Sequence, residues 1–140
     1  MEMISMDLLE LCGGTGGISK AAFGRGLFSG GSLDLTTNVD LGDPAVQRAI
    51  NHYLDVCYVL VVIARPNCRS TGPNSYINYK INYDTRKCHY DHDLPRIKDC
   101  DQVCIKQREK GRYFFREQPA GTWTDEIPPW TVLSRCEDVL

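Results

Sequence analysis

The sequence of 140 residues predicts an α/β domain with a mostly parallel sheet and flanking helices. Three observations support this class. A glycine-rich turn joins an apolar strand to a helix near the amino terminus, a second strand and helix follow, and a continuous apolar run occupies residues 56–64. Strands that alternate with helices form βαβ units, because parallel neighbours need a long crossover between them.

The first element, residues 7–26, has the pattern of a strand, a glycine loop and a helix. Gly13, Gly14, Gly16 and Gly17 supply four glycines in five positions. Glycine has no Cβ, so the backbone bends sharply here and allows a ligand to approach closely. The start of the following helix offers unpaired N–H groups and a partial positive charge. This segment therefore predicts a cradle for a nucleotide-like ligand.

Two common nucleotide loops fit this segment poorly. The dinucleotide fingerprint Gly-x-Gly-x-x-Gly, counted from Gly14 and Gly16, places its third glycine at Ser19. The phosphate-binding loop requires Gly-Lys-Ser/Thr after four free positions, whereas Lys20 follows Ser19. The first pattern is disfavoured and the second is excluded.

An acidic residue that ends a strand just before a Gly-x-Gly loop resembles motif I of class I S-adenosylmethionine-dependent methyltransferases. Glu10 and Gly14-Thr15-Gly16 occupy those positions, and Gly13 precedes the loop. The resemblance implies a Rossmann-like fold in which these five residues bind S-adenosylmethionine. The alternative is a strand-loop-helix unit that carries glycines and binds nothing.

The next element is predicted as a second strand that ends near Asp40, followed by a helix. Asp43 is suited to cap that helix and Pro44 to occupy its first turn. Apolar residues then recur three and four positions apart, which favours a helix packed on a sheet; they are Ala45, Val46, Ala49, Ile50 and Tyr53. A carboxylate at the end of a second strand, about 20 residues after a glycine loop, accepts ribose hydroxyls. Asp40 is the candidate for that role, and an ordinary turn residue is the alternative.

The apolar run at residues 56–64 predicts a buried central strand. It is much shorter than a membrane-spanning helix, so we expect no association with a membrane. Ligands of open α/β sheets bind beyond the carboxyl ends of the strands. The loop at residues 65–73 is therefore expected to face the same crevice as the glycine loop.

Within that loop, Pro66-Asn67-Cys68 is similar to motif IV of the DNA cytosine-5 methyltransferases, a Pro-Pro-Cys turn with a nucleophilic cysteine. The resemblance implies that Cys68 is the nucleophile and that Pro66 contacts the cofactor. A thiolate near Arg65 or Arg69 is a strong nucleophile near neutral pH. A buried cysteine that acts as a small apolar residue is the alternative.

A turn at Gly111 leads into an aromatic strand that ends in Glu117-Gln118-Pro119. This order resembles motif VI of the same family, where the strand ends in Glu-Asn-Val. The resemblance implies that Glu117 contacts the ring nitrogen of a target cytosine. The alternative is a polar turn at the end of a strand.

The resemblance implies a methyltransferase-like domain that transfers a methyl group to C5 of cytosine in DNA. Cys68 adds to C6, Glu117 acts at N3, and the base leaves the helical stack. RNA cytosine-5 methyltransferases are an alternative, because their Pro-Cys loop is loosely similar to residues 68–72. They carry the attacking cysteine at the later strand end, where this chain has Glu117-Gln118, so the DNA type is favoured. A non-catalytic nucleotide-binding remnant is a further alternative.

The predicted methyltransferase-like domain spans residues 1–120, with a loop or tail at 121–140. The later family motifs and a third strand are missing, which predicts an incomplete class I methyltransferase fold. Such a fold implies inactivity as a fragment, or completion by a second chain or a further carboxyl-terminal segment. Within the domain, residues 75–90 are expected to form one helix and Pro95 to open the next.

Sixteen basic and 18 acidic residues give a net charge of −2, which offers no overall basic excess for DNA. Basic residues are enriched at positions 86–116, yet acids interleave with them. Seven cysteines, an odd number, and no secretory leader favour an intracellular location, nuclear or cytoplasmic.

A small zinc-binding module is the remaining alternative. Potential ligands are Cys88, His89, His92, Cys100 and Cys104. Their spacing does not match a standard zinc finger, and the prediction is therefore that the chain has no metal site.

Overall fold

A four-stranded parallel sheet forms the centre of the molecule in the computed structural model, which describes residues 3–122 and 126–139, with the backbone alone at 78 and 79. The strands are β1 (Ser5–Leu11), β2 (Ser29–Leu33), β3 (Tyr58–Ala64) and β4 (Tyr113–Arg116). Their order is β2-β1-β3-β4 and all neighbours are parallel. The predicted α/β class, with an incomplete Rossmann-like parallel sheet, is confirmed.

Helices connect and cover these strands. They are α1 (Gly17–Phe23), α2 (Pro44–Val56), α3 (Ser75–Ile81), α4 (Tyr83–Glu109) and α5 (Trp130–Leu133). The predicted cap of α2 is confirmed, because Asp43 Oδ1 accepts the Ala45 amide at 2.8 Å. The last of these helices lies where the sequence predicts a loop or tail. In the described ranges, no helix combines the length and the apolar character needed to cross a bilayer.

The second strand ends at Leu33, so the prediction that it ends near Asp40 is wrong. Beyond Leu33 the chain turns into a short 3-10 helix, Leu35–Thr37. Asp34 Oδ1 accepts the Thr36 amide at 2.8 Å, and the Asp34 amide donates to Thr37 Oγ1 at 3.0 Å. This reciprocal cap stops the strand even though the residues that follow are apolar and β-branched.

The prediction that Pro95 opens a helix is also wrong, because Pro95 lies inside α4. The break between helices falls at Asn82, whose side-chain oxygen accepts the Thr85 amide at 3.1 Å and caps α4. Residues 75–90 therefore belong to two helices rather than one.

One face of the sheet carries the main apolar core. Side chains alternate along a strand, which places Leu9 and Leu11 of β1 on the same face as Val62 and Ala64 of β3. Residues of α2 and α4 complete this core, among them Ile50, Leu54, Cys100, Val103 and Cys104. The glycine loop and the loop after β3 leave the core at the same edge of the sheet.

The strand β4 lies at an edge of the sheet and, in the described residues, pairs with β3 alone. Its Tyr113 and Phe115 side chains are 67% and 60% exposed. On the opposite face Arg116 Nε lies 2.7 Å from Asp101 Oδ1, and both side chains are buried. The Arg116 guanidinium also lies 4.3 Å from the centroid of the Trp130 ring, so β4, α4 and α5 meet at this arginine.

Asp99, a second acidic residue of α4, is buried with one carboxyl oxygen that lacks a hydrogen bond within the described ranges. Its exposed fraction is 5%, and its Oδ2 has no hydrogen-bond partner in the described part of the chain. Burial raises the pKa of this carboxyl from 3.8 to about 6. The folded state therefore holds the proton more tightly than the unfolded chain, and stability falls as pH rises from about 4 to 6.

We expect Asp99→Asn to stabilise the protein at pH 7 by about 1–3 kcal/mol, since a raised pKa corresponds to about 1.4 kcal/mol per unit. The gain should disappear below about pH 4, where the wild-type carboxyl is protonated in both states. Urea unfolding of both proteins across this pH range measures the difference in free energy of unfolding. Asp91→Asn, on the exposed part of the same helix, is the control, and a difference independent of pH would contradict the prediction.

Candidate nucleotide site at the carboxyl edge of the sheet

The glycine loop is shaped by the buried acid that precedes it. Glu10 is fully buried, and its Oε2 accepts the Ser19 amide of α1 at 2.7 Å. A Cβ at Gly13 would lie 2.7 Å from both Glu10 Oε1 and Ser32 Oγ, so only glycine fits there. Gly16, with φ of 74°, turns the chain into α1. Glu10 and Gly13 thus pack against each other behind the loop, and Gly16 sets the direction of the chain as it enters α1.

A cavity of about 470 Å³ opens in front of this loop. Its walls include Gly14 of the loop, Asp34 after β2, Arg65 and Asn67 after β3, and Asp93 of α4. Three strand ends therefore contribute to one space at the carboxyl edge, as the sequence predicted for the loops after β1 and β3. Gly14 has φ of 59° and open space where a Cβ would stand, so its backbone is accessible from the cavity.

Asp34 is the carboxylate at the end of the second strand, the position for which the sequence suggested Asp40. Its Oδ2 accepts the Gly14 amide at 3.1 Å. Burial raises the pKa of this carboxyl, but hydrogen bonds from the Thr36 and Gly14 amides outweigh that effect and lower it. Asp34 is therefore ionised in the cavity at neutral pH. The signal missed in the sequence was an Asp with Thr37 three positions later, a capping pattern.

Asp40 has a different environment from the one predicted. Its Oδ1 lies 2.7 Å from Arg96 Nη2 of α4 and accepts the Gly42 amide at 2.8 Å. The carboxylate thus forms an ion pair at the rim. The expectation that Asp40 ends the second strand is therefore wrong, and its role toward a ribose stays a prediction.

A network of ion pairs and hydrogen bonds joins α4 to the loops on either side of the cavity. Arg69 Nε donates to Asp93 Oδ2 at 2.8 Å and Arg69 Nη2 to Asp93 Oδ1 at 2.9 Å. These bonds to Asp93 raise the pKa of Arg69. His92 Nδ1 lies 3.1 Å from Arg69 Nη2 and 3.2 Å from Arg96 Nη1. The sequence did not predict this network, which holds the loop after β3 against α4.

Cys68 lies beside the large cavity, in a second one of about 310 Å³. Arg69 borders both cavities, and Pro119 contributes to the wall of the smaller one. Cys68 is half-buried and lines this second cavity. The two cavities are thus neighbours that share a wall.

The other predicted site residues have varied positions. Pro66 is buried, and its carbonyl accepts Gln118 Nε2 at 2.6 Å, which ties the Cys68 loop to the segment after β4. The Glu117 amide donates to the Ala64 carbonyl at 2.9 Å, while its side chain is exposed. Thr15 is exposed at the tip of the glycine loop. Cys68 and Glu117 therefore follow adjacent strands, but Glu117 does not line either cavity.

The potential zinc ligands do not converge. Cys88 is exposed, whereas Cys100 and Cys104 are buried against the sheet. Burial raises the pKa of the Cys104 thiol to about 12, which opposes the thiolate form that binds metal. Over the described ranges, no three His, Cys, Asp or Glu side chains are grouped to hold a metal ion.

Comparison of the chain with protein-family models, curated proteins and solved structures gives no significant match.

The packing around the glycine loop yields a stability prediction. Gly13→Ala should destabilise the fold by about 1–3 kcal/mol, because the new methyl group overlaps Glu10 and Ser32. Gly17→Ala is the matched control, since no atom lies within 4 Å of its Cβ position. Urea unfolding compares the two variants. Equal stability of both would show that Glu10 does not confine the loop.

Proposed function

We propose that this chain is an S-adenosylmethionine-binding domain of the DNA cytosine-5 methyltransferase type. The observation that carries the proposal is the shared cavity of Gly14, Asp34 and the loop after β3, with Cys68 in the adjoining cavity. A cofactor in the first space and a pyrimidine in the second would lie side by side. The open edge at β4 is consistent with a fold completed by a second chain or a further segment.

The residues around the larger cavity fit the proposed cofactor. Gly14 lets a ligand approach the backbone, and the ionised Asp34 carboxylate accepts hydrogen bonds from a pair of ribose hydroxyls. Arg65 supplies a positive charge at the third strand end. When bound, S-adenosylmethionine provides an electrophilic methyl group.

The proposed chemistry begins at Cys68. Its thiolate would form a bond to C6 of the cytosine, and the electron pair of the C5–C6 double bond would become available at C5. S-adenosylmethionine would supply the methyl group there, and its methyl–sulfur bond would break to release S-adenosylhomocysteine. After methylation, loss of the C5 proton to a base restores the double bond and expels the thiolate. Glu117 would hydrogen-bond N3 of the ring, which requires its exposed side chain to turn over the base.

A cofactor-binding domain without catalysis is the second candidate. It is favoured by the exposed Glu117 side chain, which lies outside both cavities. An RNA substrate is the alternative to DNA, because both chemistries use a cysteine at C6. In the DNA type the cysteine follows the earlier of the two strands, as Cys68 follows β3.

We expect the protein to bind S-adenosylmethionine and Asp34→Ala to weaken that binding at least about tenfold, since a hydrogen bond to a charged group contributes about 1.5–3 kcal/mol. Isothermal titration calorimetry measures the affinity. Asp40→Asn should change it less than about threefold, because the carboxylate pairs with Arg96 at the rim.

Two results would contradict this assignment. Absence of binding to the wild-type chain would remove the proposed function. A larger loss of S-adenosylmethionine affinity for Asp40→Asn than for Asp34→Ala would indicate that Asp40, and not Asp34, binds the ribose. Thermal melting of each variant verifies that both are folded.

Catalysis is tested by covalent trapping on DNA that carries 5-fluorocytosine, in which fluorine replaces the C5 proton and blocks release of the thiolate. With S-adenosylmethionine present, the wild-type chain should form an adduct that survives denaturing electrophoresis, and Cys68→Ser should form none. Cys136→Ser is the control, since Cys136 is also half-buried and lies outside both cavities.

The outcomes separate the candidates. Cofactor binding with no adduct would favour the non-catalytic domain. An adduct with fluorinated RNA and none with DNA would assign the RNA type. An adduct that persists in Cys68→Ser would refute the role of Cys68.

A further inference from the structure

Arg65 differs from the other arginines that line the large cavity. Arg69 is paired with Asp93, and Arg96 with Asp40. The Arg65 side chain has no such partner within the described part of the chain, and only its backbone amide is bound, to the Leu11 carbonyl at 3.0 Å. Among the described residues, the cavity therefore contains one guanidinium whose charge is not matched by a carboxylate.

The position of this charge follows from the strand order. Asp34 follows β2, the glycine loop follows β1, and Arg65 follows β3, and these three strands are neighbours in that order. Neighbouring strands lie about 4.8 Å apart, so the ends of β2 and β3 are separated by about 10 Å. A ligand with hydroxyl groups at Asp34 and a negative group at Arg65 would cross the glycine loop in an extended form.

We propose that Arg65 is the anion-binding residue of the cavity and that it pairs with the carboxylate of the methyl donor. This inference rests on the proposed function. Arginine binds planar carboxylates through two parallel N–H bonds, and such charge-assisted bonds are stronger than neutral ones. Adenosine would then lie toward β2 and the amino-acid end toward β3.

This orientation has a consequence for the reaction. The amino-acid end of the donor would meet the same loop that carries Cys68, three positions after Arg65. The sulfonium group lies between the ribose and the amino acid, so its methyl group would be near the wall shared by the two cavities. The same chemistry, a nucleoside with a negative group on its 5′ side, is also present in nucleotides.

Calorimetric titration with three ligands tests the inference. S-adenosylhomocysteine carries the carboxylate, 5′-methylthioadenosine lacks the amino-acid end, and ADP carries phosphates instead. The wild-type chain should bind S-adenosylhomocysteine at least about tenfold more tightly than methylthioadenosine. Arg65→Gln should reduce that ratio to about threefold or less by weakening S-adenosylhomocysteine alone. Arg25→Gln, an exposed arginine outside the cavity, controls for net charge.

Each other outcome has a definite meaning. Arg65→Gln could weaken the binding of S-adenosylhomocysteine and methylthioadenosine equally, or change neither affinity. Either result overturns the carboxylate assignment while the proposed function stands. Tighter, Arg65-dependent binding of ADP would assign the charge to phosphate and overturn it as well. Failure of the wild-type chain to bind any of the three would overturn the proposed function together with this inference.

Discussion

The Glu10 carboxylate is enclosed at the carboxyl end of β1, where it accepts the Ser19 amide and confines Gly13. This contact joins the strand, the glycine loop and α1 into one unit, because loss of the Ser19 amide would leave the buried Oε2 without its hydrogen-bond donor. The position of the Gly14 amide follows from it. That amide donates to Asp34, which links the loop after β1 to the residue that follows β2.

The opposite wall depends on α4. The bidentate contact of Asp93 with Arg69 holds the loop that contains Cys68, and the pair of Arg96 with Asp40 holds the loop beyond β2. Asp93 is buried whereas the Arg69 side chain is partly exposed, so solvent reaches the pair from the Arg69 side. A helix that lies far along the chain thus sets the separation between two loops that it does not adjoin in sequence.

Local patterns account for what the sequence predicted correctly. The apolar run of β3 and the helix capped by Asp43 depend on near neighbours, and both were found within two residues. The end of β2 was missed because residues 34–40 have strand-like composition, and a side-chain cap at Asp34 overrides it. Contacts such as Arg69 with Asp93 join residues 24 positions apart, and no local pattern reveals them. The roles of Cys68 and Glu117 in catalysis stay predictions.

The exposed rings of Tyr113 and Phe115 lie on a strand whose outer backbone groups have no partner strand in the described residues. Such an edge is a template for pairing with another polypeptide, and apolar side chains strengthen the association. Many sheet edges carry charged or proline residues that discourage aggregation, whereas three of the four β4 residues are aromatic and two of these three are exposed. Association along β4 would extend the sheet at the edge opposite β2.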